Sequence, residues 1–454
     1  MPAFRSCVSS VLAAVLLAGR VLVAAAGSVE SPARVEIVDD WTIRVTLPTA
    51  QGPLCATFVI DHPDTMVVSG EKHERLPEFN AAAAPWGKGA VLAGVRAAEC
   101  TVTGSLDPQS VVVRTGPSDD SKTLQQGKDW EADLEWGTIG RVAGGGIAVE
   151  QPVWIDYRHT PRRIDSVVLG EDCSLRLLRG APHIVLCEPP AIAPGSSRLA
   201  NISISGPIAA LSPNCLFPIL ETSYPEPDPD LPPQALARLP ETLRRLRSGE
   251  KLRILAWGDS VTTYGRWQQM FVDGLKDRFQ DADIELITEA WGGRNTGSYL
   301  AEPPGSLHNF SEQVLGQQPH LVVSEFVNDA GLSPAEVASR YGQLLDDFRG
   351  IGAEWIILTP HYVMPAWMGP GFVAKEQREI DDDPRPYVAG LRDFTANHPE
   401  HVALADAALR YGRLWRQGIP YLTLMENNIN HPNVAGHRIF SDALLALFGA
   451  PAAR

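Results

Sequence analysis

Ten residues near the middle of the chain, Tyr224-Pro225-Glu226-Pro227-Asp228-Pro229-Asp230-Leu231-Pro232-Pro233, include five prolines. Proline fixes φ and removes a backbone donor, so neither a helix nor a central strand can run through such a stretch. It reads as a stiff, extended linker. A chain that contains it is expected to fold as separate units on either side, and 454 residues suffice for two or three domains. The two flanks also differ in their hydrophobic period.

The first flank opens with a segment read as outside the fold. Arg5 supplies a positive start, and Cys7 to Ala26 is apolar or small apart from Ser9, Ser10 and Arg20. Ala24-Ala25-Ala26 then gives the small-residue pattern of a signal-peptidase site. Residues 1–26 are therefore expected to be a signal peptide, and the mature protein to be secreted or periplasmic. No later segment approaches the ~20 consecutive apolar residues of a transmembrane helix, so no stable membrane insertion is expected. From 28 to 220 the pattern is β. Trp41, Ile43, Val45 and Leu47 alternate with Thr42, Arg44 and Thr46, and short runs follow at Val111–Val113, Val153–Tyr157, Ser166–Leu169, Ser174–Leu178, His183–Cys187 and Leu199–Ser205. Gly, Pro, Asp and Asn punctuate them. This predicts an all-β, sandwich-like accessory domain, or two small β units. Cys173 and Cys187 flank a turn at Gly180-Ala181-Pro182, and export would permit them to pair across a hairpin.

The linker and a helix from roughly Gln234 to Arg247 occupy 221–248. Beyond it, 249–454 alternates strand with helix. Strands are predicted at Leu252–Trp257, Asp283–Thr288, His320–Ser324, Glu354–Leu358 and His401–Leu404. Trp267, Met270, Phe271, Leu275 and Phe279 mark one face of a helix. Ser333-Pro334-Ala335-Glu336 opens another with a capping box and Pro at the first helical position. Such alternation implies a doubly wound parallel α/β sheet, with chemistry at the carboxyl ends of its strands.

The residues at those ends are distinctive. Trp257-Gly258-Asp259-Ser260 ends the first strand, and Glu289-Ala290-Trp291-Gly292-Gly293-Arg294-Asn295 the second. Phe326-Val327-Asn328-Asp329 ends the third, and Asn428-Ile429-Asn430-His431 precedes the terminal helix. In these four ordered blocks the chain resembles the SGNH (GDSL-type) hydrolases over roughly 250–450, and secreted carbohydrate acetylesterases among them. The resemblance implies a flavodoxin-like fold. It implies Ser260 as nucleophile and His431 as its base, with an oxyanion hole made by the Ser260 and Gly293 backbone N–H groups and the Asn328 amide. Gly292 is the alternative holder of the glycine role. Two positions depart from the family pattern. Phe326 stands where a Gly is usual and is expected to reshape a pocket wall. Asn428 stands where an Asp usually orients the His, so Asn428, Glu426 or a backbone carbonyl would do so here. Arg294, His361 and Trp367 are candidate substrate contacts, and 361–386, with Asp381-Asp382-Asp383, reads as an irregular lid or substrate wall. His437 is expected on the surface of the terminal helix.

No P-loop, Gly-x-Gly-x-x-Gly or His-Glu-x-x-His occurs, so no cofactor and no metal are predicted. The net charge is −15, from 39 Lys+Arg against 54 Asp+Glu, which argues against a nucleic-acid partner. The expected function is a secreted serine esterase that removes O-acetyl groups from an acetylated polysaccharide or oligosaccharide. The alternatives are a lipid or aryl esterase of the same fold, and a glycan-binding protein with a degenerate hydrolase domain.

Overall fold

In a computed structural model, residues 32–226, 228–369, 372 and 383–449 are described. The expected signal peptide, Asp381 and Asp382 lie outside them. The strand–helix alternation after the linker forms one five-stranded sheet of β1 (Leu252–Gly258), β2 (Ile284–Ala290), β3 (Leu321–Glu325), β4 (Glu354–Leu358) and β5 (Val402–Ala405). Every pairing is parallel and the spatial order is β2-β1-β3-β4-β5. This is the flavodoxin-like order expected from the sequence, and it reverses direction between β1 and β3.

Both faces of the sheet are covered, which explains the continuous apolar runs of β3 and β4. One face packs Ile254 and Ala256 against α1 (Pro240–Ser248), α2 (Arg266–Arg278) and α5 (Val434–Ala446), through Leu243, Phe271 and Phe440. The other packs Leu255, Trp257 and Trp355 against α3 (Pro334–Gly350) and α4 (Pro386–Asn397). The register aligns Gly258 with Ala290 on one side and Glu325 on the other. The loops after β1, β2 and β3 therefore leave the sheet side by side. That register brings three of the four sequence blocks together.

The helix expected from Gln234 to Arg247 is broken. It becomes Gln234–Arg238 and α1, because Pro240 cannot donate to the preceding turn and instead occupies the first position of a new helix. No side chain of its own caps α1. The Glu354 carboxylate, buried at the start of β4, accepts from the backbone N–H groups of Glu241 and Thr242 at 2.8 and 2.7 Å.

The first half is antiparallel β throughout its sheets and holds two main cores beside a small cluster of Ala97, Val102 and Val185. Strands Arg34–Asp39, Thr42–Leu47 and Leu54–Val59 form one sheet, and Arg163–Leu169, Leu175–Leu178, Ser197–Ile204 and Leu216–Pro218 form another. Together they enclose Ile43, Val45, Val167, Leu199 and Ile202. Between Val59 and Arg163 a second β unit folds around Leu92, Val95, Val113, Trp130, Ile139 and Tyr157. A sandwich-like unit and a separate small β unit thus coexist. His183–Cys187 is not a strand; only His183 bridges, to Arg162. That segment does not return as a hairpin, so Cys173 is left exposed, Cys187 is buried, and both are free thiols.

The halves are strapped together. Asn201 donates to the Gly418 carbonyl at 2.7 Å, Leu220 N–H to the Arg416 carbonyl at 2.7 Å, and Glu226 pairs with Arg410 at 2.9 Å. Among the described residues no helix is long and apolar enough to cross a membrane.

Replacing Glu354 with Ala leaves two helix-terminal donors buried without an acceptor. Charge-assisted bonds of this kind contribute about 1.5–3 kcal/mol. Glu354→Ala is expected to lower the stability of the α/β half by about 2–3 kcal/mol, read as a lower denaturant midpoint. An unchanged midpoint would show that the carboxylate is not the cap.

Candidate active site

Gly258 closes β1 where a side chain cannot fit: a Cβ there would stand 2.1 Å from Thr262 Oγ1 and 2.5 Å from the Glu325 carbonyl oxygen. Asp259 then caps a one-turn helix, Ser260–Thr263, by accepting from Val261 N–H at 3.1 Å. Its second oxygen accepts from both the backbone N–H and the side-chain amide of Asn328, each at 3.0 Å. A carboxylate only accepts, so it must face the nitrogen of the Asn328 amide, which fixes the orientation of that group. One N–H of the amide is left for another acceptor.

The β2 loop is tied in from both sides. Trp291 N–H donates to the Gly258 carbonyl at 3.0 Å. Thr296 donates to the buried Asp329 at 2.8 Å, which also takes the Tyr341 hydroxyl at 3.1 Å. A Cβ built on Gly292 would lie 3.8 Å from Ser260 Cβ, whereas Gly293, at φ +71°, faces open space. Of the two glycines, Gly292 therefore has its Cβ direction turned toward the serine.

His431 approaches from the far end of the chain. Its Nε2 lies 3.0 Å from Ser260 Oγ. Its Nδ1 lies 2.6 Å from Glu99 Oε1 and 3.2 Å from the Tyr264 hydroxyl. A carboxylate at Nδ1 requires the proton on that nitrogen, which leaves the Nε2 lone pair facing the serine. Burial lowers the His431 pKa below the ordinary 6.5, against the upward pull of Glu99 and Glu426. The neutral form thus prevails at neutral pH.

The structure brings Ser260, His431, Asn328 and the Gly292–Gly293 turn together. It does not bring Asn428. That residue sits at φ +62°, is buried, and leaves its Oδ1 without a partner, so it makes no hydrogen bond to the imidazole through that oxygen. Its neighbour Asn427 holds the loop instead, its Oδ1 accepting from the N–H groups of Ile429, Asn430 and His431. Glu426 is drawn off to Arg266 at 2.6 Å. His361 is fully buried and no substrate contact. Its Nε2 donates to the Asn430 carbonyl at 2.7 Å, propping the same loop, and burial drives its pKa well down. His437 is likewise buried, not on the helix surface, with its pKa pushed down to about 3 by burial. Phe326 packs edge-on against Trp257, ring centroids 4.7 Å apart, and so belongs to the core rather than to a pocket wall. Arg294 is exposed, its guanidinium 5.1 Å over the Trp291 ring. Trp367 is 46 % exposed and meets Trp86 of the β half at 6.0 Å, which in turn meets Trp136 at 5.4 Å. Glu99 carries no signal in the sequence, since it belongs to none of the four blocks.

Residues 256–439 match the GDSL-like Lipase/Acylhydrolase family. Over these residues, about two fifths of the chain, the protein is similar to that family of hydrolases. Among solved structures it is similar to the acetylxylan esterase Axe2 from Geobacillus stearothermophilus, at 18 % identity over 45 % of this chain and 96 % of that one, with a TM-score of 0.36. It is also similar to a two-domain esterase, CEX, active on acetylated mannans, at 16 % identity over 46 % of this chain and 52 % of that one, TM-score 0.35. A third is LAE5, an alpha/beta hydrolase enzyme from the metagenome of Lake Arreo, Spain, at 18 % identity over 43 % of this chain and 94 % of that one, TM-score 0.34. No curated protein matches the chain.

Beneath the site, Asp259 and Glu325 are both fully buried, and desolvation raises both pKa values, each carboxyl opposing ionisation of its neighbourhood. A carboxyl with a raised folded pKa binds its proton more tightly in the fold than in the unfolded chain. Its stabilising effect is present at low pH and is lost as pH rises through that folded value. Glu325→Gln keeps an acceptor for Thr262 and needs no proton. It is expected to raise the unfolding midpoint near pH 8 and to leave it almost unchanged near pH 4. Identical midpoints at pH 8 would mean that Glu325 is not held protonated.

Proposed function

We propose that this chain is an exported serine esterase that removes O-acetyl groups from a polysaccharide or oligosaccharide. The observation that carries the reading is the 3.0 Å approach of His431 Nε2 to Ser260 Oγ at the strand ends of a GDSL-family domain. Ser260 attacks the ester carbonyl while His431 takes its proton; the imidazolium then returns that proton to the departing sugar hydroxyl. Water repeats the cycle on the acyl-serine, releasing acetate and restoring both residues. The tetrahedral oxyanion is received by the Ser260 N–H, the free N–H of the Asn328 amide and the N–H of Gly293, with Gly292 as the alternative. Asp259 serves by holding Asn328 in place before charge develops. Export rests on the apolar run from Cys7 to Ala26.

The carbohydrate reading draws on the site's surroundings. The Trp86, Trp136 and Trp367 cluster, and Trp291 with the exposed Arg294 in the loop after β2, offer flat ring faces and a hydrogen-bond donor to a hydroxyl-rich chain. Wild type is expected to release acetate from one or more acetylated polysaccharides and to prefer acetyl over long acyl esters. Ser260→Ala should lower kcat by at least about 10³-fold. Preference for long acyl chains would contradict the carbohydrate reading, and full activity in Ser260→Ala would contradict the serine mechanism.

The base must be neutral to act, and the burial of His431 keeps its pKa under 6.5. The acid limb of kcat/KM is therefore expected below pH 6.5. A limb centred above pH 7 would mean that another group titrates.

A further inference from the structure

The family's usual carboxylate is missing beside His431, yet a carboxylate is there. We infer that Glu99, carried by the N-terminal β half, is the residue that positions His431 and faces its charge during the reaction, so that the esterase site is completed across the domain boundary. The inference rests on the serine–histidine reading above.

The geometry supports the role from both partners. Glu99 Oε1 stands 2.6 Å from His431 Nδ1, a length typical of a charge-assisted bond. The same oxygen accepts from Asn427 Nδ2 at 2.9 Å, whose other N–H goes to Asn430 Oδ1 at 3.0 Å. Asn427 therefore locks Glu99 and the His431 loop to each other through one side chain. When Ser260 gives its proton to Nε2, the proton on Nδ1 stays where it is. The positive charge that forms then lies against the carboxylate.

Glu99 is also presented by a supported element. It is the second residue of a two-residue turn joining strands Arg96–Ala97 and Cys100–Thr101, with Ala97 paired to Cys100. Ala98, the first, sits at φ +49°, a conformation rare for a residue with a Cβ. Cys100 and Thr101 are buried, and Val102 N–H returns to the Val95 carbonyl at 2.8 Å. Glu71 accepts from Ala93 N–H at 3.0 Å and from the Tyr157 hydroxyl, which itself accepts from Gly94 N–H at 2.7 Å. The hairpin's approach is thus pinned to the core of the β unit.

The competing acceptors are placed elsewhere. Asn428 Oδ1 accepts no hydrogen bond, Glu426 is engaged by Arg266, and Tyr264 offers a neutral hydroxyl at the longer distance of 3.2 Å. The groups near His431 are Glu99 from the hairpin, Tyr264 from the turn before α2, Glu426 from its own loop, His361 from the loop after β4 and His437 from α5, while Arg266 is held on Glu426 and over the Tyr264 ring. Of these, Glu99 and Glu426 draw its pKa upward.

The test uses the full chain with acetate release as the assay and four variants: Glu99→Gln, Glu99→Ala, Tyr264→Phe and Ser260→Ala. Glu99 stands at a turn tip with its side chain 49 % exposed, so its replacement should leave the fold intact, as checked by circular dichroism. Loss of an orienting carboxylate costs about 10⁴ in a buried triad, and partial exposure reduces that. Glu99→Gln and Glu99→Ala are expected to lower kcat by at least about tenfold with KM little changed. In Glu99→Gln the acid limb should also move to lower pH, because His431 loses an upward pull. Tyr264→Phe, which removes only the neutral hydroxyl, should lower kcat less than Glu99→Gln does. A kcat for Glu99→Gln within tenfold of wild type, or an unmoved acid limb, overturns the role of Glu99 while leaving the serine mechanism standing. Activity surviving in Ser260→Ala overturns the underlying reading instead.

Discussion

One buried carboxylate holds the working edge of the sheet together. Asp259 receives the Val261 N–H of the Ser260 helix on one oxygen, and the backbone and side chain of Asn328 on the other. It sits where the strand order reverses between β1 and β3, the one place in a doubly wound sheet where adjacent loops part and leave a crevice. Burial raises the pKa of this group, and the backbone donors around it pull part of that rise back. Asp329 does the corresponding work for the β2 loop through Thr296. With the loops after β1, β2 and β3 cross-tied in this way, the geometry around Ser260 exists before any substrate arrives.

The hydrolase half was largely legible in the sequence because its determinants are local and periodic. Continuous Leu-Val-Val and Trp-Ile-Ile-Leu runs announce strands covered on both faces, and Ser333-Pro334-Ala335-Glu336 marks its helix start, which the structure reproduces as a capping box. Ser260, Asn328 and His431 could be found because each stands in a short block at the end of such an element. What failed were inferences from spacing to direction. Asn428 lies three residues before His431, where an orienting group is expected, but it is buried at a left-handed backbone angle with its Oδ1 unpartnered, and Asn427 takes over the loop. His361 and His437 were misplaced for a related reason. A polar residue near a strand end or on an amphipathic helix reads as exposed, whereas both rings are sealed by neighbouring aromatics.

Glu99 was invisible for a stronger reason. Its partner Asn427 is 328 residues away, in the other half of the chain, and no local pattern links a hairpin turn in one fold to a loop in another. Finding it required the register of the β unit and its contact with the hydrolase half. The pairing also changes the meaning of that half. A β region that sequence alone presents as an accessory domain supplies the side chain in contact with the histidine. The neutral Asn428 ceases to be a sign of a decayed hydrolase, since the charge it lacks is provided from elsewhere. Hydrogen bonds from Asn201 and Leu220 to the 416–418 loop keep the two halves in fixed relation, as such an arrangement requires.

The central claim is that Glu99 holds His431 with its proton on Nδ1 and its lone pair toward Ser260. Nitrogen-15 NMR of histidine-labelled protein measures this directly, with the His431 signal assigned among the 11 histidines by its absence in His431→Gln. At neutral pH the account predicts a protonated Nδ1 and an unprotonated Nε2, a distinction that weakens in Glu99→Gln. A His431 protonated on Nε2, or a tautomer balance indifferent to Glu99, would contradict it.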